Sequence, residues 1–551
     1  PFTDDTNIKI FFDLIQLDGF NPLLLKGSRF KIEDIKVADR IIRKYIYTGD
    51  NKTIKDFLTR PFTPGSLLGF IEMKEIYLVK GTLDEFLNEI LFVSRKEDTA
   101  EHQEGYWVDH WTYNSDLIEQ YLSVFPDKII DLMFDRREFT YFDSQEAVAP
   151  RYKKYVLTNN GVRQLDSIVK IPKKEKMIKK RSVDANKVRT DFGKGEVYRC
   201  TLISKILCLI VNKIASLDPE GVGVEMEADR PGWCDALNGL PAMFGSSINE
   251  SAEIKRLALI LLDIFGYYKI NMDSIIKIPE EVYLFFRQVY SILTRDMGEY
   301  EYWDLSYKTK EDYRYNTMFG ISGNEEEVDI KVVTAFLNAV ITKIDRGLEK
   351  AYNSKSGVYY TYFINEVVDY KIITGDDDNP VKDINGYPYV KPLKFKQRPL
   401  PYFLEGLVHM LRIEKDAGKA VNLYHSIKNT GLYDDRLGMY VVNDYIMDET
   451  KKIGRQNIFP RGWLENEAVF LHMEYKYLLE LLRCGLHDEF FHDFKKALVP
   501  FLDPVVYGRS ILENSSFIVS TAHPNKKIHG RGFVSRLTGA SAEFLSMWLC
   551  M

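Results

Sequence analysis

Long stretches of the chain carry apolar residues three and four positions apart, and this period decides more than any other feature what the chain can fold into. In residues 197–217 (VYRCTLISKILCLIVNKIASL) it runs unbroken, and it returns at 254–268, 282–294, 332–352 and 467–484. Such a stretch gathers its apolar side chains on one wide face of an α-helix, and that face must be buried against other helices. The segments between are long and rich in Gly, Pro, Asp and Asn: 218–249, 374–401, 429–463 and 504–539. Connections beyond about 15 residues are uncommon in compact domains unless they carry function, so chemistry is expected on these four. Short alternating runs at 357–363 (GVYYTYF) and 439–444 predict small hairpins there. The expected fold is mainly α, a toroid of paired helices with functional loops, and the absence of a repeat of about 20 to 50 residues argues against a solenoid.

Of the 551 residues, 74 are Lys or Arg and 80 are Asp or Glu, for a net charge of −6, which speaks against a nucleic-acid binder held by bulk charge. Five scattered cysteines, Cys200, Cys208, Cys234, Cys484 and Cys550, show no Cys-X-X-Cys spacing and predict a reducing compartment, taken as the cytoplasm. No apolar run reaches the roughly 20 residues a bilayer requires; the one at 202–214 is broken by Lys205 and Lys213. No membrane partner is expected. The run 170–181 (KIPKKEKMIKKR) reads as a solvated stretch or linker. Residues 1–95 read as a helical connector or the tail of a preceding module, and 96–551 as the catalytic domain. Residue 1 is proline and 540–551 is still an apolar helical run, so the chain is expected to be a piece of a longer polypeptide.

The most unusual segment is 225–247, EMEADRPGWCDALNGLPAMFGSS. Asp229, Pro231, Gly232, Asp235, Asn238, Gly239 and Pro241 interrupt any helix, and Trp233 and Phe244 offer flat apolar faces. A Trp beside a carboxylate can stack on a pyranose and keep the acid protonated. The structural alternative is a buried turn with Trp233 in the core and Asp235 capping a helix. No His-X-X-X-His pair or other metal cluster is present among the nine histidines, so no metal is expected.

The run Gly232-Trp233-Cys234-Asp235-Ala236-Leu237-Asn238-Gly239 resembles the Asp-Trp-Asn-Asp-Gly-(Met/Leu)-Asn stretch of the inverting glycoside phosphorylases of glycoside hydrolase family 94, and is similar to the β-glucan oligosaccharide phosphorylases of families 149 and 161. The resemblance implies that Asp235 is the general acid and that the fold is an (α/α)6 toroid, with a β-sandwich module expected ahead of residue 1. Arg536-Leu537-Thr538-Gly539-Ala540-Ser541-Ala542 is similar to the family's Trp-Leu-Thr-Gly-Thr-Ala-Ala, which implies that Thr538 and Gly539 bind phosphate. Free amides at a helix start suit an anion there, although a Thr in that place also serves as a simple N-cap. Residues 465–472 (ENEAVFLH) resemble the family's Asn-Gly-(Gly/Ser)-Ile-Phe-X-His, which implies a phosphate contact for His472; the alternative is a satisfied core histidine.

A weaker match runs from Gly105 to Ile118, in which Asp116 is implied as a sugar-hydroxyl ligand and Trp107 as part of the subsite. The family's arginines, one on the sugar and one on phosphate, have no counterpart in that stretch. Candidate cations are Arg230, Arg531, Arg536, Lys526, Lys527, His110 and His523, with Arg230 and Trp233 expected on the substrate side. Glu513 resembles a family Glu near the subsite, and Ser520 or Thr521 stands where a phosphate-binding Gln is expected. Residues 273–328 match nothing in the family.

The implied reaction is reversible inverting phosphorolysis of a β-linked gluco-oligosaccharide or β-glucan to α-glucose 1-phosphate, with phosphate as cosubstrate, no other cofactor, and a homodimer as the implied assembly. A phosphorylase needs one acid and a cationic, donor-rich pocket, because phosphate replaces the base-activated water of an inverting hydrolase. Two rivals stand beside it: an inverting hydrolase with Glu513 or Glu465 as base, and a carbohydrate-binding module that has lost its catalysis.

Overall fold

The computed structural model of the chain describes residues 28–62, 64–98, 108–181, 184–229, 234–534 and 538–551. These are mainly helical, with small antiparallel sheets. Two compact units divide the chain: Pro1–Gly105 with Ala236–Gly239 and Thr450–Ile458, and Tyr106–Asp235 with Leu240–Glu449 and Phe459–Met551.

The smaller unit carries helices α1 (Ile35–Tyr45), α2 (Asn51–Leu58), α3 (Pro64–Met73) and α4 (Leu83–Val93). The Asp34 and Asp50 carboxylates accept from the first-turn amides of Lys36 and Lys52 at 2.8 and 3.0 Å, which starts α1 and α2 where they begin. Ile41, Ile54, Leu58, Phe86 and Ile90 make a core of their own. Glu89 fastens α4 to α1, accepting from Lys44 Nζ and Tyr45 OH at 2.7 Å each, and these two bonds hold its carboxyl below the usual range.

The larger unit is built on helices α5 (Val108–Val124), α6 (Pro172–Lys179), α7 (Leu202–Ile214), α8 (Ile248–Tyr267), α9 (Glu280–Leu293), α10 (Glu299–Asn316), α11 (Ile330–Ala351), α12 (Leu404–Ile413), α13 (Ala417–Lys428), α14 (Leu471–Arg483), α15 (His487–Ala497) and α16 (Thr538–Cys550). The expected apolar faces are the buried ones: Ile210, Leu261, Phe286, Leu337, Leu407 and Leu478, each from a different helix, belong to one core. Helix α8 packs on α7, α11 and α12; α12 packs on α14, and α14 on α16. This helix-on-helix layering is what the apolar period demands, and the mainly helical build is consistent with a toroid-like fold.

A four-stranded sheet joins β1 (Val224–Glu225), β2 (Gly245–Ser247), β3 (Tyr362–Ile372) and β4 (Val390–Pro399) in the order β4-β3-β2-β1. A three-stranded sheet joins β5 (Val469–Phe470), β6 (Phe517–Ile518) and β7 (Gly532–Phe533) in chain order, with β6 antiparallel to both neighbours. The predicted hairpins are present: Val358–Tyr359 pairs with Tyr352–Asn353, and Met439–Tyr440 with Tyr433–Asp434.

Two expectations are corrected. Strand β4 lies inside 374–401, which reads as a connection because Lys391, Lys394 and Lys396 are exposed and no apolar alternation marks it. Residues 273–328 hold α9, where the apolar period at 282–294 predicts a helix, and α10, flanked by the antiparallel pair Ile275–Pro279 and Glu325–Asp329. The basic run 170–181 contains α6, in which Lys174 and Ile178 share a buried face, and Arg181 follows the helix: Lys174 Nζ and Arg181 Nη1 reach the buried Asp143 at 2.6 and 2.7 Å.

Candidate active site

The segment that leads to the Asp235 turn is anchored by a buried carboxylate. Asp218 accepts from the amides of Glu220, Val222 and Gly223 at 3.0, 3.0 and 2.9 Å, from Ser246 Oγ at 2.6 Å and from Gln397 Nε2 at 3.0 Å. Burial pushes its pKa up and these donors pull against it. The result is a loop pinned to β2 and β4. Gly223 is needed there, since a Cβ would come within 2.8 Å of the Ser247 amide nitrogen. Asn365 Nδ2 donates to the Phe244 carbonyl at 2.7 Å and fixes the far end.

Between these anchors the helix breakers act as expected. Asp229 takes φ +64°, Cys234 is buried, and Asp235 is half-buried at the head of a 3-10 turn, Asp235–Leu237. Arg230 and Trp233 lie outside the described residues, as does Trp107. Cys234 lies close to Tyr362, whose hydroxyl donates to Glu405 and accepts from Asn249 Nδ2 at 3.3 Å. Glu405 stands in the first turn of α12, and His409 and Arg412 follow it at four and seven positions, on the same helical face.

Arg412 is where Asp116 is found. The Asp116 carboxylate accepts from Arg412 Nη2 and, at 2.7 Å, from Arg256 Nη2 of α8. Arg412 also meets Glu480 at 3.1 Å, and Glu253 meets His409 and Arg256 at 2.9 and 3.3 Å. Asp116 is thus an ion-pair partner on α5, tying it to α8 and α12. Arg256 and Arg412 are buried arginines that the sequence does not single out: each sits within an apolar helical run, where an occasional charge gives no signal of its own.

The surroundings of His472 are organised by the three-stranded sheet. Because β5 and β7 both run antiparallel to β6, they run parallel to each other; β5 passes straight into α14, and α16 begins at Thr538, shortly after β7. Helix α14 thus starts at the end of β5, where the Leu471 amide donates to the Ser516 carbonyl at 3.0 Å and the amides that follow have no partner within the helix. His472 is in the first turn of α14. Its Nε2 lies 2.7 Å from Tyr113 OH and 3.5 Å from Glu543 Oε1 on α16, and Tyr113 OH is 3.2 Å from the same carboxylate oxygen. Burial would raise the Glu543 pKa, but the His472 bond and the charges of Lys476, His472 and Arg412 hold it below the usual range. Arg412 thus faces both clusters.

Thr538 and Gly539 open α16. Thr521 is half-buried and its amide donates to Asp434 Oδ2 at 2.6 Å, while Ser520 is fully buried. The Glu513 side chain is exposed, and its carbonyl accepts from Tyr507 OH at 2.9 Å. The structure brings His472 next to the helix that Thr538 begins, and Asp116 next to Arg256 and Arg412. Lys526, Lys527 and Arg531 are exposed. Among the described residues no group of three or more His, Cys, Asp or Glu is arranged to hold a metal ion, and no helix is long and apolar enough to cross a membrane.

No family model matches the chain, and no curated protein does. Among solved structures, the chain is similar to the GH63 mannosylglycerate hydrolase of Thermus thermophilus in complex with glucose, at 10% identity over 68% of this chain and 99% of that one, with a TM-score of 0.23. The same enzyme in complex with Tris matches at 11% identity over the same shares, also with a TM-score of 0.23. Values of this size transfer no residue role from one chain to the other.

Proposed function

We propose that the protein catalyses reversible inverting phosphorolysis of a β-linked gluco-oligosaccharide. Asp235 gives its proton to the glycosidic oxygen as the bond from C1 breaks, and a phosphate oxygen forms the new bond to C1 from the opposite face, leaving α-glucose 1-phosphate and a chain one sugar shorter. In the reverse direction the proton returns to Asp235. Phosphate is already an anionic nucleophile, so no base is called for, and the chain's task is to hold it.

The observation that carries this reading is the contact of the first turn of α14 with α16, where His472 Nε2 lies 3.5 Å from Glu543 Oε1. His472 stands in the first turn of α14 and Thr538 and Gly539 open α16, and free amides at a helix start suit a dianion. Tyr113 and Glu543 fix the His472 ring, and the Glu405, His409 and Arg412 face of α12 runs from the neighbours of Cys234 toward that cluster. The assembly, by the family likeness, is a homodimer, and the compartment a reducing one.

The test is to incubate the protein with α-glucose 1-phosphate and a panel of β-gluco-disaccharides and to follow released phosphate. Phosphate release with chain extension is expected, and Asp235→Asn should lower it by about a thousandfold or more while sugar binding stays measurable. Sugar release from β-gluco-oligosaccharides in phosphate-free buffer would instead indicate an inverting hydrolase. Full turnover by Asp235→Asn would remove the acid.

A further inference from the structure

The residues that follow Asp235 are gripped by a distant part of the chain. Ala236–Gly239 cluster with Thr450–Ile458 in one compact unit. The second of these segments is two 3-10 turns, Lys451–Ile453 and Arg455–Asn457, which meet at Gly454. Thr450 Oγ1 accepts from the Lys452 amide at 3.3 Å, and Ile453, Gln456 and Asn457 are buried, so the segment is a packed element. Its start is fastened by Glu449, whose carboxylate accepts from Nη1 and Nη2 of Arg398 on β4 at 2.9 and 2.8 Å.

Two glycines let the two backbones touch. The Gly239 amide donates to the Ile453 carbonyl at 3.0 Å, and a Cβ on Gly239 would overlap the Lys452 carbonyl oxygen. A Cβ on Gly454 would overlap the Ala236 carbonyl oxygen and come within 2.6 Å of Asn238 Oδ1 and 2.8 Å of the Asn238 amide nitrogen. Gly454 takes φ +135° and ψ −166°, a conformation essentially confined to glycine. Ala236, the residue bonded to Asp235, is fully buried.

We infer that Gly454 is a positioning residue: its bare backbone, seated on Ala236 and Asn238, fixes the turn from which the Asp235 carboxyl reaches the glycosidic oxygen. The inference rests on Asp235 being the acid, as proposed above, and holds whether phosphate or water attacks C1. Displacing a reacting group by about 1 Å lowers a rate about a hundredfold, so a side chain forced between these backbones is felt at the proton transfer. That transfer matters in proportion to how poorly the departing group leaves. A sugar alkoxide needs the proton, whereas 2,4-dinitrophenolate departs without it.

The experiment compares turnover of a β-gluco-disaccharide with that of 2,4-dinitrophenyl β-glucoside, both with phosphate, in the whole protein. Gly454→Ala should lose about a hundredfold in kcat on the disaccharide, with KM within about threefold, and less than about threefold in kcat on the dinitrophenyl glucoside. Asp235→Asn should show the same selective loss, and larger. Arg398→Gln, a partly exposed change that frees the start of the segment without a clash, should repeat the pattern at about fivefold, and it decides the matter if Gly454→Ala does not fold. Equal losses on the two substrates, or full activity on the disaccharide, in the variant that folds overturn the positioning role while Asp235→Asn still loses the disaccharide selectively. If Asp235→Asn itself loses both substrates alike or neither, the acid assignment fails, and the inference with it.

Discussion

Two buried charge clusters in the larger unit are built by opposite rules. Around Asp116 every charged group has an opposite partner: Asp116 has Arg256 and Arg412, Glu253 has Arg256 and His409, and Glu480 has Arg412 and Arg483. Around Glu225 the matching fails. Lys310 is buried with Ser216 Oγ as its hydrogen-bond partner, and burial pushes its pKa well down. Glu225 takes a bond from Trp303 Nε1 at 2.8 Å, and burial raises its carboxyl to about 7 against the pull of Lys154. Paired ions in low dielectric act as struts between helices, whereas mismatched ones remain able to change protonation.

The contrast can be broken most forcefully at Arg412. Arg412→Met takes one of two cationic partners from both Asp116 and Glu480, leaving them Arg256 and Arg483, and should cost about 3 kcal/mol, read as a lower urea midpoint at unchanged slope. If the loss is under about 1 kcal/mol, the cluster is not a strut. At Glu225 the effect is smaller and depends on pH. A carboxyl with a raised folded-state pKa ionises first in the unfolded chain, so it lowers stability as pH climbs from about 4.5 to about 7, at up to about 1.4 kcal/mol per unit. Glu225→Gln should remove that contribution, so that the variant gains on the wild type between pH 5 and pH 7.5; parallel curves would place the Glu225 pKa at its ordinary value. Least affected should be Lys310→Met, which gives up one hydroxyl contact and one buried amine and should shift stability by no more than about 1 kcal/mol in either direction. A loss as large as that of Arg412→Met would make the two clusters alike.

What the sequence made legible follows from what is local. The helices α7, α8, α9, α11 and α14 coincide with the five periodic stretches because each must hide one continuous apolar face. The turn at Asp235 shows itself through the Gly, Pro and Asn residues that forbid a helix, and the start of α16 through Thr538-Gly539. The pairings are not local. Asp116 meets Arg256 and Arg412 across three helices, and nothing near any one of them announces the other two. Strand β4 escaped notice because its lysines face water, and α6 because Lys174 and Arg181 are buried by an aspartate that precedes them by about 30 residues.

The small sheet beside His472 carries one more implication. Strand β5 pairs with the two-residue strand β6 and runs directly into α14, so a shift of β6 is passed to the first turn of α14. The segments flanking Phe517 and Ile518 thereby become a lever on the His472 ring.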